Sequence, residues 1–183
     1  PIPGSNLPSV IGWRTIDDTN KMIEIAQTKK RAVVIGGGLL GLECARGLLD
    51  QGMEVTVLHL ADWLMEMQLD RKAGEMLKAD LEKQGMKIEL QANSKEIIGD
   101  KDVEAIKLAD GRVIETDLVV MAVGIRPYTE VAKDSGLDVN RGIVVNDYMQ
   151  TSDSHIYAVG ECAEHDGKVY GLVAPLYEQG KVL

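Results

Sequence analysis

The sequence predicts an α/β fold, a doubly wound parallel sheet with an antiparallel meander set into it, and three observations carry that prediction. From Arg31 to Leu90, short runs of Val, Ile and Leu alternate with stretches of helical spacing. That order makes consecutive strands parallel through right-handed crossovers. The run Gly36-Gly37-Gly38-Leu39-Leu40-Gly41 joins the first buried strand to the helix after it. Beyond Gln91 the pattern changes to short strands joined by Gly99-Asp100-Lys101-Asp102 and Ala109-Asp110-Gly111, and Asp-Gly is a strong hairpin signal.

Taken in order, Pro1 to Pro8 are turn-rich and read as an extended connection. Asp17 or Asp18 is expected to cap a helix from Thr19 to Gln27, with Met22, Ile23, Ile25 and Ala26 on its apolar side. Lys29-Lys30-Arg31 reads as a solvated approach to the first strand, Arg31 to Gly36, whose Ala, Val, Val and Ile suit a buried parallel strand. A helix from Leu39 to Gln51 ends at Gly52, a strand runs from Glu54 to Leu60, and a helix from Leu69 to Gln84 ends at Gly85. Met86 to Leu90 is a third strand. The meander takes Asn93 to Ile98, Val103 to Leu108 and Arg112 to Glu115, and Leu118 to Val123 is a further buried strand. Arg141 to Tyr148 and His155 to Val159 are the last two strands expected.

Composition limits the function classes. The chain has 183 residues, 45% apolar and 27% charged, as in ordinary globular proteins. Its net charge of -9 leaves no basic stripe for a nucleic acid. No apolar run reaches the roughly 18–20 residues that span a bilayer, and no signal peptide is visible. The two cysteines, Cys44 and Cys162, form no C-x-x-C pair, so no zinc or redox-disulfide motif is expected, and a reducing cytoplasm is the simplest setting. Glu164, His165 and Asp166 are adjacent on a loop and read as a solvated turn rather than a metal site.

The glycine run carries the chemistry. Gly36, Gly38 and Gly41 fill G-x-G-x-x-G between a strand and a helix. The first glycine permits the turn, the second lets backbone approach a pyrophosphate, and the third lets helix pack on strand. The helix N-terminus then favours a diphosphate, so the loop, Leu40 included, is expected to bind a dinucleotide. Glu43 is placed in the first helical turn, where a carboxylate also suits the dipole. The end of the second strand discriminates NAD from NADP, an acid taking the ribose hydroxyls and an arginine a 2′-phosphate. His59 stands there, with Asp62 beyond it and no arginine before Arg71. His59 can donate to a ribose oxygen or, if protonated, attract a phosphate; NADH is expected over NADPH, and the competing reading is a solvated strand-end residue.

Two later segments, Ala122-Val123-Gly124-Ile125-Arg126-Pro127 and Ile156-Tyr157-Ala158-Val159-Gly160-Glu161, complete an order of motifs. With the glycine loop and the meander, it resembles the pyridine-nucleotide:flavin oxidoreductases, in which an NAD(P) domain is inserted into an FAD domain. The segment from Gly160 to His165 with Lys168 to Pro175 is most similar to the large subunits of NAD(P)H nitrite reductases.

The resemblance implies that residues 1–12 are a linker from a preceding FAD half, 13–127 the NAD(P)-binding domain, and 128–183 an incomplete C-terminal part of the FAD-binding domain. It places Glu43 near the nicotinamide amide, Gly124 against the nucleotide, Gly160 and Glu161 at the FAD ribityl and phosphate region, and Ala174 beside the flavin ring. Most of the family has Asp where Glu161 stands. The chain contains one G-x-G-x-x-G where the family has two, the other serving FAD. The implied activity is hydride transfer from NADH to FAD with no catalytic side chain in this chain, feeding nitrite reduction to ammonium through iron–sulfur and sirohaem groups elsewhere. The alternatives are a rubredoxin or ferredoxin reductase, an NADH oxidase, or a nucleotide-binding module inactive alone. The implied partners are the other FAD half and the downstream redox domains. The strand at His155 to Val159 would then lack neighbours, leaving open edges, and is expected to be disordered, repacked or paired with another chain through self-association.

Overall fold

The structure is a computed structural model describing residues 2–183; Pro1, the first residue of the expected connection, lies outside the described residues. The chain forms two compact units, Pro1–Gly124 and Ile125–Leu183.

In the first unit, β1 (Val10–Ile11), β2 (Arg31–Ile35), β3 (Glu54–Leu58) and β4 (Lys87–Glu89) form a parallel sheet with β8 (Leu118–Met121), in the order β1-β8-β2-β3-β4. The strands β5 (Ser94–Ile98), β6 (Ala105–Leu108) and β7 (Val113–Glu115) make the expected antiparallel meander. Side-chain alternation along β2 explains the layering. Ala32 and Val34 enter one core with Val55, Val57 and Val120, and Cys44, Ala45 and Leu48 of α2 (Leu39–Asp50) cover it. Met22 of α1 (Ile16–Ala26) and Leu77 and Leu81 of α3 (Arg71–Lys83) pack on the same core. Val33 and Ile35 enter a second core with Ile97, Ile106 and Leu108 of the meander. Both faces of the sheet are therefore covered, one by helices and the other by the meander. Each fully buried Val in it contributes about 1.5–3 kcal/mol.

Several local expectations are corrected. The first helix starts three residues earlier, because Thr15, not Asp17 or Asp18, is its N-cap: Thr15 Oγ1 accepts from the Asp18 N–H at 3.1 Å, and Asp18 reaches back to the Thr15 N–H at 2.7 Å. Hydrogen bonds donated to its carboxylate hold Asp18 below its usual range, the Thr15 N–H foremost, then the Thr15 hydroxyl and the Arg14 N–H. Residues 3–9 form turns and a bend, as their turn-rich composition implies, but the segment is packed rather than extended. Ile2 and Leu7 pack on the second core, and the Ile97 N–H donates to the Pro3 carbonyl at 2.9 Å.

In the second unit, α4 (Glu130–Asp134) precedes β9 (Ile143–Val145), which pairs in parallel with β10 (Ala163–His165). A tight turn through Asp166 and Gly167, both at positive φ, returns the chain antiparallel as β11 (Lys168–Val169), followed by α5 (Val173–Val182). The strand expected at His155 to Val159 does not form. Tyr157 makes a single bridge to Gln150, and only Ala158 is buried, beside Val145, Met149 and Ala163. Glu164, expected in a solvated turn, is 5% exposed in β10. Its carboxylate accepts from the Gly142 N–H at 2.8 Å, which keeps it charged below the usual range against the cost of burial.

Candidate functional site

The C-terminal ends of β2, β3 and β8 meet at the glycine loop. The Gly36 N–H donates to the Leu58 carbonyl at 2.8 Å, and the Ala122 N–H donates to the Ile35 carbonyl at 2.9 Å. Gly36 has φ +118°, and a Cβ there would lie 2.2 Å from the Ala122 carbonyl oxygen. A Cβ on Gly41 would lie 1.9 Å from the Gly36 carbonyl oxygen. The first and third glycines are therefore required by the protein itself, the one for the turn and the other for helix–strand contact.

Gly38 differs. Its φ of -88° and ψ of -174° suit any residue, and a Cβ there would meet no atom within 4 Å. It is the N-cap of α2 and supplies no side-chain cap, so among the described residues no side chain caps the first helical N–H groups at Leu39 and Leu40. Leu39 and Leu40 are themselves exposed. Bare backbone N–H groups at the positive end of a helix, with open space in front of the N-cap, fit a pyrophosphate. Glu43 is exposed but is the fifth residue of α2, so it opens the second turn; the first turn holds no acid. Gly124 is exposed at φ +90° with open space at its Cβ position.

His59 is neither a solvated strand-end residue nor a free donor. It is 6% exposed, and its Nδ1 accepts from the Gly37 N–H at 3.1 Å. That bond puts the proton of the neutral ring on Nε2, which stands 2.9 Å from Glu66 Oε2. Both ring nitrogens are thus committed to protein partners. Gly37, at a variable position of the motif, is sterically demanded as well: a Cβ there would lie 2.6 Å from Leu64 Cδ2 and 2.8 Å from His59 Cγ. The Met65 N–H closes the arrangement on the Gly37 carbonyl at 3.1 Å, with Met65 at φ +58°. Beyond it, Arg71 is paired with Asp62 and Glu75 and stacks 4.8 Å from the Trp63 ring centroid. The sequence does not single out Glu66, which lies seven residues past His59, outside the strand-end position where an acid is sought.

In the second unit, Gly160 has φ +101° with open space at its Cβ position, and its N–H donates to Gln179 Oε1 of α5 at 2.9 Å. Glu161 follows, half-buried, and Ala174 is exposed as the second residue of α5. Cys162 Sγ donates to the Val159 carbonyl at 3.4 Å. Among the described residues no group of three His, Cys, Asp or Glu is placed to hold a metal ion. Nor is any helix there long and apolar enough to cross a membrane.

The family described as pyridine nucleotide-disulphide oxidoreductase matches residues 1–180. The chain belongs to that family. It is 61% identical over its whole length to the nitrite reductase [NAD(P)H] of Bacillus subtilis (strain 168), of which it covers 23%. It is 50% identical, again over its whole length, to an assimilatory nitrate reductase electron transfer subunit of the same organism, of which it covers 24%. Among solved structures, an NAD-dependent persulfide reductase from A. fulgidus superposes with a TM-score of 0.94 at 32% identity, covering all of this chain and 35% of that one. The chain thus spans about a quarter of the length of these curated relatives.

Pyridine nucleotide-disulphide oxidoreductases use NAD(P)H and FAD. For the first cofactor the fit rests on the open, uncapped backbone at Gly38. For the second, the open space at Gly160 and the exposed Ala174 suit contact with a cofactor surface.

Proposed function

We propose that this chain binds NADH at the loop from Gly36 to Gly41 and, within a longer flavoprotein, presents it to FAD, the electrons serving reduction of nitrite to ammonium. When bound, the dinucleotide pair supplies hydride chemistry that protein side chains lack. The chain's own residues bind and orient. The N–H groups of Leu39 and Leu40 take the pyrophosphate, Gly38 lets it approach, Glu43 orients the nicotinamide amide, and Gly124 leaves room beside the nucleotide. Gly160, Glu161 and Ala174 contribute to the FAD side. No residue here is given a proton-transfer or nucleophilic role; orientation is the contribution. The partners are the remaining FAD-binding portion and the redox domains that carry iron–sulfur and sirohaem groups in a nitrite reductase. The 61% identity to a nitrite reductase supports that acceptor.

The observation that supports the binding reading is Gly38: it is the N-cap of α2, supplies no side-chain cap, and leaves open space at its Cβ position in front of the helix N-terminus. Gly38→Ala should leave the circular dichroism spectrum and melting temperature unchanged and weaken NADH binding at least tenfold by calorimetry. Gly41→Ala should instead unfold the loop, since its methyl would meet the Gly36 carbonyl. Equal NADH affinity in Gly38→Ala and the parent chain, or no binding by the parent at millimolar NADH, would overturn the reading.

A further inference from the structure

The geometry points to Glu66, positioned by His59, as the carboxylate that accepts from the adenosine ribose 2′-hydroxyl of NADH and repels the 2′-phosphate of NADPH. The inference rests on the proposed NADH site and names its specificity determinant. A strand-end acid performs this task in dinucleotide folds generally. Here that position holds His59, whose ring is buried and committed at both nitrogens.

A carboxylate is nonetheless present. The segment after β3 turns back through Met65, bonded to the Gly37 carbonyl, and sets Glu66 Oε2 on His59 Nε2 at 2.9 Å. The Glu66 side chain is 36% exposed, and its Oε1 has no protein partner among the described residues. One oxygen is thus held against a ring that also grips the glycine loop, while the other is open to accept a ribose hydroxyl. The other charges nearby in the chain do not compete. Asp62 is tied to Arg71, and Arg71, the cation nearest in sequence for a 2′-phosphate, is already paired with Asp62 and Glu75 and stacked on Trp63. The same segment exposes Leu60 and Met67, apolar surface of the kind an adenine ring covers.

The test titrates the 183-residue chain with NADH and with NADPH by calorimetry. The parent chain should prefer NADH at least tenfold. Glu66→Gln keeps a neutral partner for His59, and should weaken NADH several-fold while improving NADPH, bringing the two affinities within about threefold. Glu66→Arg should reverse the preference. His59→Asn keeps an acceptor for the Gly37 N–H but cannot reach Glu66. It should lower the NADH preference, whereas a His59 that merely braces the loop would weaken both cofactors equally. An unchanged NADH-to-NADPH ratio in Glu66→Gln, with NADH still binding the parent chain, overturns this inference alone. Failure of the parent chain to bind NADH at all overturns the proposed site and this inference with it.

Discussion

Single residues show where sequence reasoning reached the site and where it stopped. Gly36, Gly38 and Gly41 were legible because their spacing encodes three separate steric demands, two of which the backbone displays at 2.2 and 1.9 Å. Glu66 was not, because its relevance depends on a turn through the left-handed Met65 that no local pattern announces. Cys44 and Cys162 illustrate the same divide, being equivalent as letters and different in surroundings. Cys44 is buried under the sheet and its thiol is pushed up to about 12 by loss of solvation, whereas Cys162 is half-buried. At pH 8 a thiol with that value is ionised in roughly one molecule in ten thousand, and the thiolate is the reactive form. A chromogenic disulfide reagent at pH 8 should therefore titrate one thiol per native chain, at Cys162, and a second only after guanidinium unfolding. Two fast equivalents in the native protein would contradict the burial of Cys44.

Among elements, those with strong periodicity and local stop signals were legible within a residue or two. The helix α2 ends at Gly52 and α3 at Gly85, both at positive φ, as glycines that close helices do. The hairpin β10–β11 is not legible although Asp166-Gly167 repeats the Asp110-Gly111 signal, because flanking strands of two or three residues leave no alternation to read. The expected strand at His155 to Val159 failed for the opposite reason: its apolar letters find only a small core, with Ala158 alone buried.

The start of β2 is fastened to β8 by charge, which gives this element a pH dependence. The Arg31 guanidinium donates to both oxygens of Asp117, at 3.2 and 3.3 Å, and the Arg31 and Lys30 N–H groups add to them at 2.9 and 3.3 Å. The Arg31 side chain is the largest cause holding the Asp117 carboxyl below its ordinary 3.8, outweighing the opposing effect of burial. A depressed folded value means the stabilisation is complete above about 3.8 and is lost as pH falls through the lower folded value. The urea midpoint should therefore drop between pH 5 and pH 3. Asp117→Asn should lower it at pH 7 and flatten, without abolishing, that drop, since Asp102 and Glu164 are depressed as well. An identical slope in the variant would show that Asp117 does not contribute.

At the scale of the whole molecule, the two units rest on cores of different size. The first buries two large clusters on either face of its sheet; the second buries Val145, Met149, Ala158 and Ala163 and leaves Tyr148, Val173 and Tyr177 exposed. Stability follows apolar burial, so the first unit holds the greater reserve. A ligand that binds only one folded unit adds stability to that unit, about 2.7 kcal/mol when its concentration is 100 times its Kd. Hydrogen exchange in the presence of such an excess of NADH should slow the most protected amides of the first unit, Val33 to Ile35 among them, by roughly a hundredfold. The Val144 amide, bonded to the Asp138 carbonyl within the second unit, should exchange at an unchanged rate. Equal slowing in both units would mean that they open as one, and slowing confined to the second would move the nucleotide site away from Gly38.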